Sequence, residues 1–368
     1  MNKILSTNKY KMTKNKVAGI MRVKNDGMFI EECIESCIDA LDELIVVHND
    51  CTDNSVEEIE KMRERYPDKI RRYEYPHRVM GVNLTREEYD YVKELPEGSP
   101  HLLSTYCNFA LDKVTAPYAL KIDADQVYDT EVLKYWCDFM RNCEPQKINA
   151  KIIVGKLFDK YFSFYRYLSM KCNRVLPLVP AWLLRIFYPA YLSYAQYLFS
   201  HEKACFSLSG VNVLEKEGVI MIPMGCKSGN LVSGIPFNGE GDTVMFKVKE
   251  STYFTKLPDY STSKTSLVEK FVHPYRVMFV GFFWKHVRAM RPSSYAQAME
   301  IMSVAPGSYI TYDEFKGLSY NEIMRRSSKE IYRLFQKVLF AFIYKANKQQ
   351  VLRFFEKNEK IKSDNTAK

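Results

Sequence analysis

The chain has 368 residues, 46% of them hydrophobic and 26% charged, enough to bury one large core with an appendage or two domains sharing a cleft. Its nine cysteines include no Cys-x-x-Cys pair and no His/Cys spacing suited to zinc, which argues for reduced thiols and against a structural zinc site. The formal charge of +9 is concentrated near the C-terminus, where Asn321 to Lys368 carries twelve Lys or Arg against five Asp or Glu, and no nucleic-acid recognition motif accompanies it.

Met1 to Lys16 is rich in Lys and Asn and lacks the apolar stretch of a signal peptide, so a disordered segment and a cytoplasmic protein are expected. Val17 to Met21 reads as a buried strand. From Phe29 to Leu41 apolar residues recur at helical spacing. Leu44 to Val47 is a second strand, ending in the polar turn His48 to Ser55, and Val56 to Tyr66 is a charged helix. Ile70 to Tyr75 reads as a third strand, Tyr89 to His101 as a loop, Leu102 to Leu111 as a helix, and Tyr118 to Ile122 as a fourth strand. Strands alternating with helices predict an α/β, Rossmann-like fold, a mostly parallel sheet flanked by helices. In such sheets ligands lie beyond the C-terminal strand ends. Three polar clusters fall there: Arg22 to Asp26, His48 to Asp53, and Asp123-Ala124-Asp125.

The last cluster has the most specific chemistry. In an extended chain residues i and i+2 share a face, so Asp123 and Asp125 can both point into one pocket and form a hard oxygen site for Mn²⁺ or Mg²⁺. The competing reading is a solvated turn whose Asp caps a helix starting near Thr130.

The stretch from Val17 to Asp125 resembles the donor half of family 2 glycosyltransferases, of the type that builds bacterial surface polysaccharides. The resemblance lies in Val23-Lys24-Asn25-Asp26, Glu32 to Cys37, Leu44 to Val47, Asp53-Asn54-Ser55, Asn108 to Leu111 and Leu120 to Asp125. It implies a GT-A fold, a nucleoside diphosphate sugar as donor, with UDP as the nucleotide, and a hexosyltransferase activity. Carried onto this chain, it places Arg22, Asn25, Asn108, Lys121 and Asp123 against the donor, with Asp123 and Asp125 on the metal. Many members carry Asp directly after the second strand, whereas this chain has His48-Asn49. Asn49, Asp50 or Asp53 then remains to bind the base.

Transfer to a hydroxyl with inversion needs a group that takes the acceptor proton. Phe237-Asn238-Gly239-Glu240-Gly241-Asp242-Thr243 is similar to the Glu-Asp motif of GT-A enzymes with a Gly inserted, which points to Asp242 as base, with Glu240 as the alternative and a plain turn as the bland reading. Phe206 to Asn212 resembles the strand lining the donor sugar, through Gly210. His273 is the expected third metal ligand, and His286 is its rival.

Tyr161 to Phe199 is aromatic and free of acids, and it is interrupted by Arg166, Lys171, Arg174, Arg185 and three prolines, so it does not read as a transmembrane span. Rings and cations without acids suit peripheral contact with the inner face of a membrane; a helical hairpin packed on the catalytic domain is the alternative. Ile331 to Phe355 offers the same two readings. The expected organisation is a GT-A domain over 17–290 with an aromatic, basic helical insertion at 156–203. Basic C-terminal helices over 291–362 and a tail over 363–368 follow it. The acceptor is then a glycan or a lipid-linked glycan. A retaining GT-A enzyme and a non-catalytic sugar-nucleotide-binding or scaffold relative at the membrane are the competing functions.

Overall fold

The computed structural model describes residues 15–82, 84–258, 266–327 and 334–366. The expected 1–16 segment and the extreme tail therefore lie almost wholly or partly outside the described residues. In chain order the first elements are β1 (Val17–Val23), α1 (Gly27–Cys37), β2 (Glu43–His48), α2 (Ser55–Arg65), β3 (Ile70–Glu74), α3 (Arg86–Glu94), α4 (Leu103–Leu111) and β4 (Tyr118–Asp123). There follow β5 (Gln126–Tyr128), α5 (Thr130–Arg141), α6 (Ala150–Lys171), α7 (Ala181–Ser200), β6 (Ala204–Asn212), β7 (Leu214–Lys216), β8 (Val219–Pro223), β9 (Lys227–Ser228) and β10 (Leu231–Val232). The chain continues with β11 (Phe237–Lys247), β12 (Tyr253–Pro258), β13 (Leu267–Val272), β14 (Arg276–His286), α8 (Pro292–Val304), β15 (Tyr309–Thr311), α9 (Tyr312–Gly317), α10 (Tyr320–Arg326) and α11 (Leu334–Thr366).

These elements fall into two compact units. The first comprises Met1–Ala124, Lys134–Cys143 and Met245–Pro274; the second comprises Asp125–Leu133, Glu144–Val244 and Tyr275–Lys368. In the first unit β3, β2, β1 and β4 lie side by side in that order, all parallel, and the end of β11 runs antiparallel to β4. Parallel strands are covered on both faces, which is why β1 and β2 read as nearly unbroken apolar runs. Helix α1 buries Phe29, Ile30, Cys33, Ile34 and Cys37, the face the helical spacing predicts. Each such aliphatic or aromatic side chain contributes about 1.5–3 kcal/mol. Between β3 and α4 the structure corrects the expected loop. Helix α3 forms because Thr85 Oγ1 accepts from the Glu88 amide at 3.1 Å while Glu88 Oε2 accepts from the Thr85 amide at 3.0 Å. It buries only Tyr89 and Val92, too thin an apolar stripe to register as periodic.

In the second unit β6 pairs in parallel with β14, and β5 runs antiparallel to β14. The aromatic segment is a two-helix hairpin. Helices α6 and α7 approach so closely that a Cβ on Gly155 would sit 2.0 Å from the Ala190 carbonyl oxygen. Strand β14 shifts register between Phe279 and Gly281, and the Tyr191 and Tyr188 hydroxyls donate to the carbonyls of Phe279 and Val280 at 3.0 and 2.7 Å. This bulge locks α7 onto the sheet. Helix α11 packs on the same hairpin, with Phe342 stacked 3.7 Å from Phe162 between ring centroids. Val338 to Tyr344 is fully sequestered. Over Val338 to Tyr344 the apolar face of this helix is therefore docked on protein, the second of the two readings expected for it.

Candidate active site

Register places Arg22 of β1 beside Asp123 of β4 at the C-terminal ends of two parallel strands in the first unit. Arg22 Nη2 donates to Asp123 Oδ1 at 3.2 Å and to Glu269 Oε1 at 2.8 Å. Lys121 projects on the same face of β4 as Asp123, and its Nζ lies 3.2 Å from Glu269 Oε1 and 3.7 Å from Asp123 Oδ1. Two cations and two carboxylates thus form one network, buried except for part of Asp123. Burial pushes the Glu269 carboxyl up, but the Arg22 and Lys121 charges outweigh it and hold the group at about 2. Glu269 was not legible in the sequence: it sits in the polar strand β13, 146 residues from Asp123, with no motif around it.

The loops after β1 and β2 brace one another. The Thr52 amide donates to Asn25 Oδ1 at 2.7 Å and Asn25 Nδ2 to Thr52 Oγ1 at 3.1 Å, with Asn25 in the left-handed region at φ 57°. Exposed Asp50 pairs with Lys24 at 3.3 Å. Asp53 accepts from the amides of Gly27 and Ser55, both at 3.0 Å, and so ties the starts of α1 and α2 together. Its carboxyl is held low: burial opposes this, and hydrogen bonds from Ser55 and Gly27 prevail. Asn49 is buried and donates to the carbonyls of Tyr75 and His77 at 2.9 and 2.6 Å, leaving its buried Oδ1 without a hydrogen-bond partner. Asn108 uses its whole amide on the Phe254 backbone, donating at 2.9 Å and accepting at 2.7 Å. Its expected place against the donor is taken by this structural tie between α4 and β12.

Beyond Asp123 the structure corrects the expectation of two acids on one extended face. Ala124 and Asp125 form a turn, and β5 begins at Gln126. Asp125 belongs to the second unit, where the Val287 amide donates to its carbonyl at 2.9 Å. Its Oδ1 lies 3.1 Å from His286 Nε2 and its Oδ2 3.1 Å from Arg291 Nη2. His286 Nδ1 lies 2.7 Å from Asn212 Oδ1, and Asn212 is oriented by donating through Nδ2 to the Ile235 carbonyl at 2.6 Å. Asn238 Nδ2 also lies 3.1 Å from Nδ1, so the ring is held between two amides on one side and the Asp125 carboxylate on the other. Burial pushes the Asp125 carboxyl up, and His286, Arg291 and Arg288 outweigh it, holding it at about 2.

The remaining expectations divide differently. His273 lies in the first unit, donating through Nε2 to the Lys247 carbonyl at 3.0 Å and stacked on Phe271; Lys247 pairs with Tyr118, the opposite end of β4 from Asp123. Burial lowers its ring pKa, and the structure does not bring it to either acid. Gly210 has a packing reason: it pairs with Trp284, and an added Cβ would fall 1.8 Å from the indole. Glu240 and Asp242 belong to β11, and their side chains lie outside the described residues. Arg276 is committed to Asp159 at 2.7 and 3.1 Å.

The first unit is thus a wound parallel sheet with acids at its strand ends, where ligands of such sheets lie. The matching family is that described as Beta-1,4-N-acetylgalactosaminyltransferase (CgtA), over residues 6–167, which is less than half of the chain. No curated protein matches. Among solved structures, S. aureus TarS 1-349 in complex with UDP-GlcNAc is 12% identical over 90% of this chain and 72% of that one, at a TM-score of 0.37. In complex with UDP, the same protein is 20% identical over 37% of each chain, at 0.24. Glucosyl-3-phosphoglycerate synthase from Mycobacterium tuberculosis, with Mn²⁺, UDP and glucosyl-3-phosphoglycerate, is 18% identical over 30% of this chain and 34% of that one, at 0.18. In the last two, the chain spans just over a third of the relative's length. These scores are too low to extend the likeness to function.

Proposed function

We propose that the chain transfers a sugar, with inversion and with a divalent cation, from a UDP-sugar to a hydroxyl of a glycan or lipid-linked acceptor, and that the Asp123-Ala124-Asp125 segment is its donor-side centre. The observation that carries this reading is the pairing of the Asp125 carboxylate with His286 Nε2 at 3.1 Å. A carboxylate oxygen beside a ring nitrogen is an O/N donor pair that suits Mn²⁺. Among the described residues no group of three His, Cys, Asp or Glu side chains is placed to hold a metal, so Asp125 and His286 are the two protein donors of this proposal. When bound, the cation would neutralise charge building on the departing nucleotide.

The chain's own residues supply the rest. Asn212 holds the His286 ring through Nδ1, and Arg291 holds the second Asp125 oxygen. In the first unit, Glu269 fixes Arg22 and Lys121, the two cations closest to Asp123. The acceptor proton passes to Asp242, or to Glu240 if the inserted glycine turns that acid inward. Membrane contact is part of the same reading and is carried by a separate region, the α6–α7 hairpin.

A panel of UDP-sugars with N-acetylgalactosamine first, after the matched family's name, tests the reading with Mn²⁺ or Mg²⁺ present. One donor is consumed, the rate collapses on chelation, and the product's anomeric configuration is inverted. Transfer surviving in Asp242→Asn moves the base to Glu240 or the reaction to the retaining class.

A further inference from the structure

Helix α6 is apolar on both faces. One face, with Phe158, Phe162 and Tyr165, packs on the protein. The opposite face, spaced at three to four residues, presents Ile153, Leu157, Phe164 and Tyr167 to solvent, and the start of α7 adds Trp182 and Ile186. Leu157, Phe164, Trp182 and Ile186 are each 60–61% exposed. A soluble helix ordinarily puts polar residues there.

The stripe is interleaved with cations. Lys156, Lys160 and Lys171 share the exposed face of α6, and Arg185 sits beside Trp182 and Ile186 on α7. Between residues 145 and 200 the single acid is Asp159, which is buried and paired with Arg276. The solvent face is therefore cationic and aromatic, with no acid on it.

We infer that this face of the α6–α7 hairpin is a docking surface for an anionic lipid bilayer. Apolar and aromatic side chains enter the headgroup boundary, and the lysines, whose stems lie along the apolar stripe, keep their ammonium groups among the anionic headgroups. Charge argues for lipid over a protein partner, because protein interfaces deplete lysine at their cores and here lysines recur along the stripe. The segment lies on the bilayer and does not span it, since among the described residues no helix is long and apolar enough to cross. The inference rests on the membrane contact proposed above and needs no part of the sugar-transfer chemistry.

Of the three tryptophans, Trp136 and Trp284 are buried and Trp182 is exposed, so intrinsic fluorescence reports on this surface. The full chain is floated with vesicles of phosphatidylcholine alone and of phosphatidylcholine mixed with phosphatidylglycerol. It should rise with the anionic vesicles, shift its emission to the blue, and be quenched by lipids brominated on their acyl chains. Lys156→Glu/Lys160→Glu/Lys171→Glu should weaken binding about a hundredfold. Phe164→Ser/Ile186→Ser, which keeps Trp182, should weaken it about tenfold or more. Equal binding to neutral vesicles, flotation indifferent to both variants, or no flotation would overturn the inference. So would self-association abolished by the same substitutions without vesicle binding, which makes the face a contact between copies. Wild-type chain that floats but consumes no sugar nucleotide leaves the surface standing and sinks the transfer reading.

Discussion

Asp123 and Asp125 are two residues apart and chemically identical, yet the protein treats them in opposite ways. Asp123 closes a parallel strand and joins a network in which Glu269 already pairs with both Arg22 and Lys121. Asp125 sits in a turn, its two oxygens each 3.1 Å from a side chain of the second unit, His286 Nε2 and Arg291 Nη2. A motif written as two acids is thus one acid in a four-membered ionic network and one held between a ring nitrogen and a guanidinium.

The largest effect expected from breaking this contrast is on stability. Glu269→Gln removes the carboxylate that pairs with both Arg22 and Lys121 and should cost about 3–5 kcal/mol, read by urea unfolding. The same residue sets a pH signature. Its folded pKa of about 2 is below the ordinary 4.5, so its contribution is complete above that ordinary value and is lost as pH falls toward 2. Stability of the wild type should fall through that window, and Glu269→Gln should flatten this part of the curve.

On the second unit's side, Asn212→Ala frees the His286 ring to turn away from Asp125 and should lower donor turnover by about 10–100-fold while leaving the melting temperature nearly unchanged. If the contrast is misdrawn and Asn212 is only structural, both quantities will fall together. A smaller loss, about 1–3 kcal/mol from overpacking, is expected for Gly210→Ala, where the new methyl meets Trp284. Smallest is Asp53→Ala, about 1 kcal/mol, because water can replace one of its two amide contacts at the start of α2. Thermal unfolding ranks these last two.

Much of the first unit was legible because parallel strands and amphipathic helices announce themselves locally. Val17 to Val47, and the strand leading to Asp123, carry their burial pattern in consecutive residues. Helix α3 escaped because it buries two residues, although Thr85 and Glu88 carried the capping signature. The site's partners were harder, since they are set by tertiary pairing. Glu269 reaches Arg22 from a distant strand, and the choice of His286 over His273 depends on β14 pairing with β5, which brings His286 opposite Gln126. Gly210 was read for its backbone, whereas the reason for it is the indole that covers it from β14. Asn108 and Asp53 read as donor-binding residues in the sequence, and in the fold both bond to backbone groups that only the tertiary structure brings near.

Nucleotide release from UDP-sugars in Mn²⁺, compared between the wild type and Asp125→Ala, tests the central claim most directly. The account predicts a loss on the order of 10²–10³-fold with the fold intact by circular dichroism. A rate in Asp125→Ala equal to that of the wild type would contradict it.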